Sequence, residues 1–242
     1  MTTWYTADTH YNHKNIIGYC NRPWANVDEM TAGLIANWNS RVTNEDSVYM
    51  LGDFAFCNMT KQQAILAQLN GKVKIVLPGN HDSSSEHLLK AGFDVVVGAR
   101  HTRTIAGQKV RLNHFPYQGS GVEQHDDRFF KEMPQDDGSW LLHGHVHTAW
   151  KQKTRQINVG VDVWGYLPVS EEEIARIIRH EVNYEDSWSG HRKVAADYSG
   201  PIVICNSCGK RSTQIEREGM SHTYENGNCK GYWRLQPSLF EV

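Results

Sequence analysis

The sequence predicts an α/β fold, and three observations predict it. Short runs of β-forming apolar residues recur along the chain, helical patterns separate most of them, and each run ends in a polar cluster. Strands alternating with helices suggest a sheet with helical crossovers. The segment "TRTIAGQKVRL" at 102–112 reads as a hairpin and makes the arrangement mixed. With 242 residues, 39% of them hydrophobic, the chain can bury one substantial core and carry a small appendage.

The elements follow in order. "TWYTADTH" places a strand over Trp4–Ala7, with Asp8 and His10 just beyond it. A helical pattern covers Val27–Asn39. "SVYMLGDF" places a second strand over Ser47–Leu51 and delivers Gly52 and Asp53. After a helical pattern at Thr60–Leu69, "KVKIVLPGNHD" places a strand over Lys72–Leu77 that leads to Asn80, His81 and Asp82. A helix is expected over Ser84–Lys90. "KVRLNHFP" leads to His114, and "WLLHGHVH" leads to His143, His145 and His147. A last helix opens at Ser170 with Glu173 three residues on, the pattern of a capping box, and Ile174, Ile177 and Ile178 give it one apolar face. Residues 1–183 read as one domain, 184–200 as a connector, and 201–242 as a small module of its own.

Every metal-capable cluster therefore falls at the carboxyl end of an expected strand, the edge of an open α/β sheet where loops converge and ligands bind. Thirteen histidines is many for this length, and histidine is the commonest metal ligand among side chains. In an extended "GHVH", residues 145 and 147 point the same way, and Gly144 permits close backbone approach. His143 reads as a hydrogen-bonded neighbour instead. Mixed nitrogen and oxygen donors of this kind suit divalent ions.

In order, the blocks "DTH", "GD", "GNHD", a single histidine in "NH" and "GHVH" occupy 8–10, 52–53, 79–82, 113–114 and 144–147. On these blocks the chain resembles the calcineurin-like metallophosphoesterases. The resemblance implies a four-layer αββα sandwich and a dimetal centre. Asp8, His10 and His147 would hold one ion, Asn80, His114 and His145 the other, and Asp53 would bridge. It further implies hydrolysis of phosphodiester or phosphomonoester bonds by in-line attack of a bridging hydroxide, with His81 as general acid and Asp82 orienting its ring. The chain has "GDFAFCN" and "GNHD" where the protein Ser/Thr phosphatases of the superfamily carry GDxVDRG and GNHE. With "NRPW" and "NVGVDVWGYLP" it looks more like short bacterial and phage phosphoesterases. Manganese is the expected metal, with iron, nickel or zinc also suited to mixed His, Asp and Asn ligation.

Around this set, Asn12 and His13 read either as contacts to substrate phosphate or as a helix cap. The loop at 116–130 reads as a cover that would bring Tyr117, His125 and Arg128 to the substrate, or as a solvated insertion. Expected substrates are nucleotides or other small phosphate esters. A metal-dependent nuclease, or a nucleotide- or nucleic-acid-binding module with a non-catalytic metal site, is the alternative. A formal charge of -2 lends little support to nucleic acid as a partner.

Five cysteines, an odd and sparse set, argue against a disulfide framework; Cys20 and Cys57 read as buried thiols. "CNSCGKRS" resembles a zinc-ribbon knuckle, so Cys205, Cys208, His222 and Cys229 form a candidate structural zinc site. Tyr224, Tyr232 and Trp233, interleaved with basic residues, read either as a nucleic-acid surface or as packing of that module. The amino terminus has no basic segment followed by an apolar one, no apolar run approaches the roughly 18 residues of a membrane helix, and the mean hydropathy is -0.58. A cytoplasmic protein without a membrane partner is the expectation.

Overall fold

The computed structural model describes residues 1–120 and 127–180, together with the backbone of four short strands within 201–242. The chain divides into two compact units, Met1–Glu185 and Asp186–Val242.

In the first unit, strands β1 (Thr3–Thr6), β2 (Ser47–Met50), β3 (Val73–Val76) and β4 (Val95–Val96) pair in parallel. Strand β10 (Val169–Ser170) adds antiparallel to β1, so the sheet order is β10-β1-β2-β3-β4. The crossovers carry helices α1 (Lys14–Tyr19), α2 (Val27–Arg41), α3 (Met59–Leu66) and α4 (Ser85–Ala91). The strand period of two sorts the side chains between the two faces. Val48, Met50 and Val76 pack with Met30, Leu34 and Trp38 of α2 and with Ile65 and Leu88, forming the helix-covered face. Tyr5, Tyr49, Leu51 and Leu77 face the other way.

That opposite face meets a second sheet of order β5-β6-β7-β9-β8. Its strands are β5 (Thr102–Ile105), β6 (Gln108–Leu112), β7 (Trp140–His143), β8 (Gln152–Lys153) and β9 (Gln156–Asn158). The hairpin of β5 and β6 is antiparallel, whereas β6, β7 and β9 run parallel. Val110, Leu112, Trp140, Leu142 and Ile157 fill the space between the sheets, joined by Ile174, Ile177 and Ile178 of α5 (Glu171–Ile178). The fold is thus the mixed α/β sandwich expected from the sequence. On the far side of the second sheet, among the described residues, segments after β6 and β7 form the outer layer. Arg111 lies over the Tyr117 ring and Trp150 against His143.

The helix ends follow their capping residues. Asn26 accepts from the N–H groups of Asp28 and Glu29, Asn58 from Lys61, and Ser84 from His87. The Ser170–Glu173 capping box is present in full at α5. Helix α1 has no such side-chain cap: His13 stands at its N-cap position without a capping hydrogen bond. That short helix, and the two- and three-residue strands β4, β8, β9 and β10, carry too few residues to show a period.

Asp46 ties the start of the first sheet together. Its carboxylate accepts from Thr2 N–H at 2.6 Å, Thr43 N–H at 2.9 Å and Trp4 Nε1 at 3.2 Å. Those bonds, first of all from the backbone of Thr2 and Thr43, hold its carboxyl down at about 2. Asp46→Ala is expected to cost about 2–3 kcal/mol of stability at neutral pH, because it removes three charge-assisted hydrogen bonds. A group whose pKa is depressed on folding stabilises above its unfolded pKa and loses that contribution as pH falls through the folded value. The gap between wild type and Asp46→Ala in urea unfolding should therefore narrow as pH drops from about 4 toward about 2.

The second unit contains β11 (Val203–Cys205), β12 (Arg211–Ser212), β13 (Ser221–His222) and β14 (Gly231–Leu235), in the antiparallel order β12-β11-β14-β13. Cys205 ends β11 opposite Trp233, and His222 ends β13 opposite Gly231. Cys208, Cys229 and the side chains of the proposed zinc set lie outside the described residues. His125 does too. Among the described residues no helix is long and apolar enough to cross a membrane.

Candidate metal centre

The two sheets converge at the carboxyl ends of their parallel strands. Gly160 forms a parallel bridge with Ala7, and the Val159 N–H donates to the His143 carbonyl, so this segment links β7 to β1. A Cβ on Gly144 would lie 2.5 Å from Asp8 Oδ2, and one on Gly79 would strike the Asp53 carboxylate. Glycine at these two places lets the clusters close on one another.

The ligand residues leave their strands through left-handed turns. Asp8, His10, Asp53, His145 and His147 have φ of 56°, 48°, 56°, 71° and 45°. Non-glycine residues seldom adopt this region, Asp and His more readily than most, and it concentrates at functional sites. This corrects the expectation of an extended "GHVH". Strand β7 ends at His143, and the next two histidines diverge. His145 Nδ1 lies 3.1 Å from Asn80 Oδ1, while His147 joins Asp8 and His10.

All seven expected ligands meet in one place. Asp53 Oδ2 stands 3.4 Å from His10 Nε2 and 3.5 Å from His114 Nε2, while its Oδ1 accepts the His81 N–H at 3.0 Å. His114 Nδ1 donates to the Leu51 carbonyl at 2.9 Å, so in the neutral ring Nε2 carries the lone pair; Nε2 lies 3.0 Å from Asn80 Oδ1. Both Asp8 oxygens accept the His145 N–H. Asp8, His10 and His147 have ligand atoms within 4.8 Å of one another, as do Asp8, Asp53 and His114.

Such a set fits cations. His10 Nε2 is buried without a hydrogen-bond partner. In the neutral ring of His114, its Nε2 lone pair meets an amide oxygen and a carboxylate oxygen, three acceptors that a cation reconciles, whether a proton or a metal ion. The electrostatics agree. Burial, the largest influence, raises Asp8 to about 6 against the pull of His147 and His114. Burial also opposes ionisation of Asp53, but His114 and His10 outweigh it and hold that carboxyl well below the usual range. His10 is pushed down to about 4 by burial. His114 and His147 are raised in spite of burial, by Asp53 and Asp8 for the first and by Asp8 and Asp162 for the second.

His81 is exposed at the rim, its ring 5.4 Å from that of His10. Asp82 does not orient that ring. Its oxygens accept from the backbone of Asp53 at 2.7 Å, Gly79 at 2.8 Å and Phe54 at 3.0 Å, clamping the loop after β2 to the loop after β3. Tyr117, expected near substrate, is 2% exposed, and its hydroxyl donates to the Ser139 carbonyl on the outer face of the second sheet. Arg128 is exposed, its guanidinium 5.4 Å over the ring of Phe129, whose edge contacts His145. Asn12 and His13 sit at the rim: the His13 ring stacks on Phe56 at 4.6 Å and its Nδ1 lies 3.4 Å from His10 Nδ1. His143 faces away from the cluster, fully buried, with Nδ1 2.7 Å from the Gly144 carbonyl.

Two residues of the site were not recognised as such in the sequence. Asp162 Oδ2 lies 2.9 Å from His147 Nδ1, the carboxylate–histidine arrangement that fixes a ligating ring. Arg22 holds Asp162 through Nε at 2.8 Å and Nη2 at 3.0 Å, and also donates to the carbonyls of Asp8 and Thr9. The pair is fully buried. Cys20 also comes near His147 and Asp162, but Arg22 already engages both Asp162 oxygens, which leaves that trio poorly suited to an ion. The one available signal was a charged residue inside the apolar segment "VGVDVW".

An uncharacterized protein of Methanocaldococcus jannaschii is 35% identical to this chain over 181 residues, covering 71% of the chain and 88% of that protein. The gene 66 protein of Mycobacterium phage L5 is 33% identical over 202 residues, covering 74% and 94%. Among solved structures, a protein of unknown function from Aquifex aeolicus superposes with a TM-score of 0.58 at 28% identity, covering 73% of the chain and 98% of that protein. Residues 1–165 match the calcineurin-like phosphoesterase superfamily domain, a stretch containing every ligand residue described above, and the chain belongs to that superfamily.

Proposed function

We propose that the chain is a dimetal phosphoesterase acting on phosphodiester or phosphomonoester bonds of nucleotides or other small phosphate esters. One observation carries the proposal: a single oxygen, Asp53 Oδ2, stands between His10 Nε2 and His114 Nε2, with one ligand set on each side. Asp8, His10 and His147 would hold one ion and Asn80, His114 and His145 the other, with manganese the assigned metal. Divalent ions in that position supply Lewis-acid polarisation of the phosphoryl group and acidify water.

The chain's own groups do the rest. The Leu51 carbonyl and Asp162 hold the rings of His114 and His147 through Nδ1, keeping Nε2 directed inward. The Asp82 clamp and the Asp53–His81 backbone bond keep His81 beside the bridging carboxylate. From the rim, the His81 ring donates a proton to the departing ester oxygen. Asn12 and His13 on the same rim, and Arg128 on the other, face substrate. For the C-terminal unit we assign a structural zinc to Cys205, Cys208, His222 and Cys229, supported by the C-x2-C spacing.

Bis-p-nitrophenyl phosphate turnover should require added manganese and vanish with EDTA. His81→Ala should lower kcat by about 10²–10⁴-fold, the range for a positioned general acid. Metal content should stay unchanged, because the His81 ring is no ligand. Full activity in His81→Ala would remove the acid role, and no turnover under any divalent ion would remove the proposal.

A further inference from the structure

Three exposed aromatic side chains stand out among the described residues: Tyr19, Phe56 and Phe130. Two of them flank His13 at the metal-centre rim. The Phe56 ring stacks on His13 at 4.6 Å and 24°, and Tyr19 meets the same imidazole edge-on at 6.5 Å. Exposure of a phenylalanine carries no benefit to folding, and its neighbour Phe54 is buried at 1% whereas Phe56 is 53% exposed. The ring is nonetheless held in place. The Phe56 N–H donates to the Tyr11 carbonyl at 2.8 Å, and His13 supports one face. Its centroid lies 6.1 Å from that of His81. Lys61 brings a cation to the same rim, its Nζ 3.5 Å from Asn12 Oδ1.

A rigid, half-open ring beside the proton donor, backed by an imidazole and edged by a cation, matches a planar, partly polar group attached to a phosphate. An alkyl chain would gain nothing from the ring's orientation. We propose that Phe56, supported by His13, is the stacking platform for a nucleobase in the departing half of the ester, so that the substrates are nucleotide esters. This rests on the phosphoesterase reading above and narrows it. Stacking accepts any base, because every base has a π-face, so the platform selects for the presence of a base and not for its identity.

The test is binding of adenosine 5′-monophosphate and of ribose 5-phosphate to the manganese-loaded full-length protein by calorimetry. Wild type should bind the base-bearing ligand about ten-fold more tightly, a typical advantage of one stacked base. Phe56→Ala and Phe56→Leu should erase most of that advantage and leave ribose 5-phosphate within about two-fold, whereas Phe56→Trp should keep it. Equal affinity of wild type for both ligands, or an equal loss of both in Phe56→Ala, would overturn the platform. Manganese-dependent turnover of bis-p-nitrophenyl phosphate without a preference for the base-bearing ligand would sink this inference and leave the phosphoesterase reading. A preference lost in Phe56→Ala, in a protein that hydrolyses nothing, would support the platform and sink hydrolysis.

Discussion

Asp53→Asn is expected to lower kcat/KM for bis-p-nitrophenyl phosphate by about 10³-fold or more. The figure follows from several kcal/mol of charge stabilisation by metal ions and about 1.4 kcal/mol per ten-fold in rate. The asparagine keeps the shape of a side chain that is 2% exposed, and its Oδ1 can still accept the His81 N–H. What it loses is the charge at Oδ2, the atom facing His10 Nε2 and His114 Nε2. An amide there presents either a weaker ligand or an N–H donor to two ring nitrogens. Metal content measured by elemental analysis should fall together with activity, while the fold persists, because Asp82 binds the backbone N–H of residue 53 and not its side chain. Retention of two ions and of turnover in Asp53→Asn would remove the bridging role and with it the dimetal proposal.

The ligand set was legible because it depends on chain order and strand ends. Asp8, Asp53, Asn80, His114 and His145 each follow an apolar run that had to be a strand, and parallel neighbours deliver their ends to one edge. Which side chains of those runs face helices was not legible, because the runs are apolar nearly throughout: Val48 and Met50 face helices, whereas Tyr5, Tyr49 and Leu51 face the partner sheet. Conformation within the turns was not legible. "GHVH" has the spacing of a strand, yet the chain turns where Gly144 lies against Asp8, and His145 and His147 serve different partners. Asp82 was misread because adjacency to His81 suggested a side-chain contact, whereas three unpaired backbone donors from two loops were the stronger claim on its carboxylate. Tyr117 was misread because the outer face of the second sheet, with Leu141 and Gln156 buried upon it, needed a cover that no helix pattern announced.

Arg22 and Asp162, separated by 140 positions, form a contact that no local pattern encodes, and their removal is expected to produce the largest loss of stability. Both side chains are fully buried, and the guanidinium also binds the carbonyls of Asp8 and Thr9, in the turn that carries Asp8 and His10. Arg22→Met would leave Asp162 as a buried carboxylate with His147 as its remaining partner, at a cost of about 3–5 kcal/mol. Asp162→Leu strands the guanidinium in the same way. The double variant Arg22→Met/Asp162→Leu should recover much of the stability, since apolar residues of similar volume often replace a buried ion pair without loss. Metal affinity should not recover with it. His147 would lack the carboxylate that fixes Nδ1, and outer-shell partners of this kind contribute roughly 10–100-fold in affinity. Thermal unfolding of the metal-free proteins and manganese titration of the wild type and these three variants separate the two roles. Recovery of both quantities in the double variant would make the pair mere packing. Recovery of stability alone means that Asp162, held by the buried arginine of "NRPW", positions a histidine of the site.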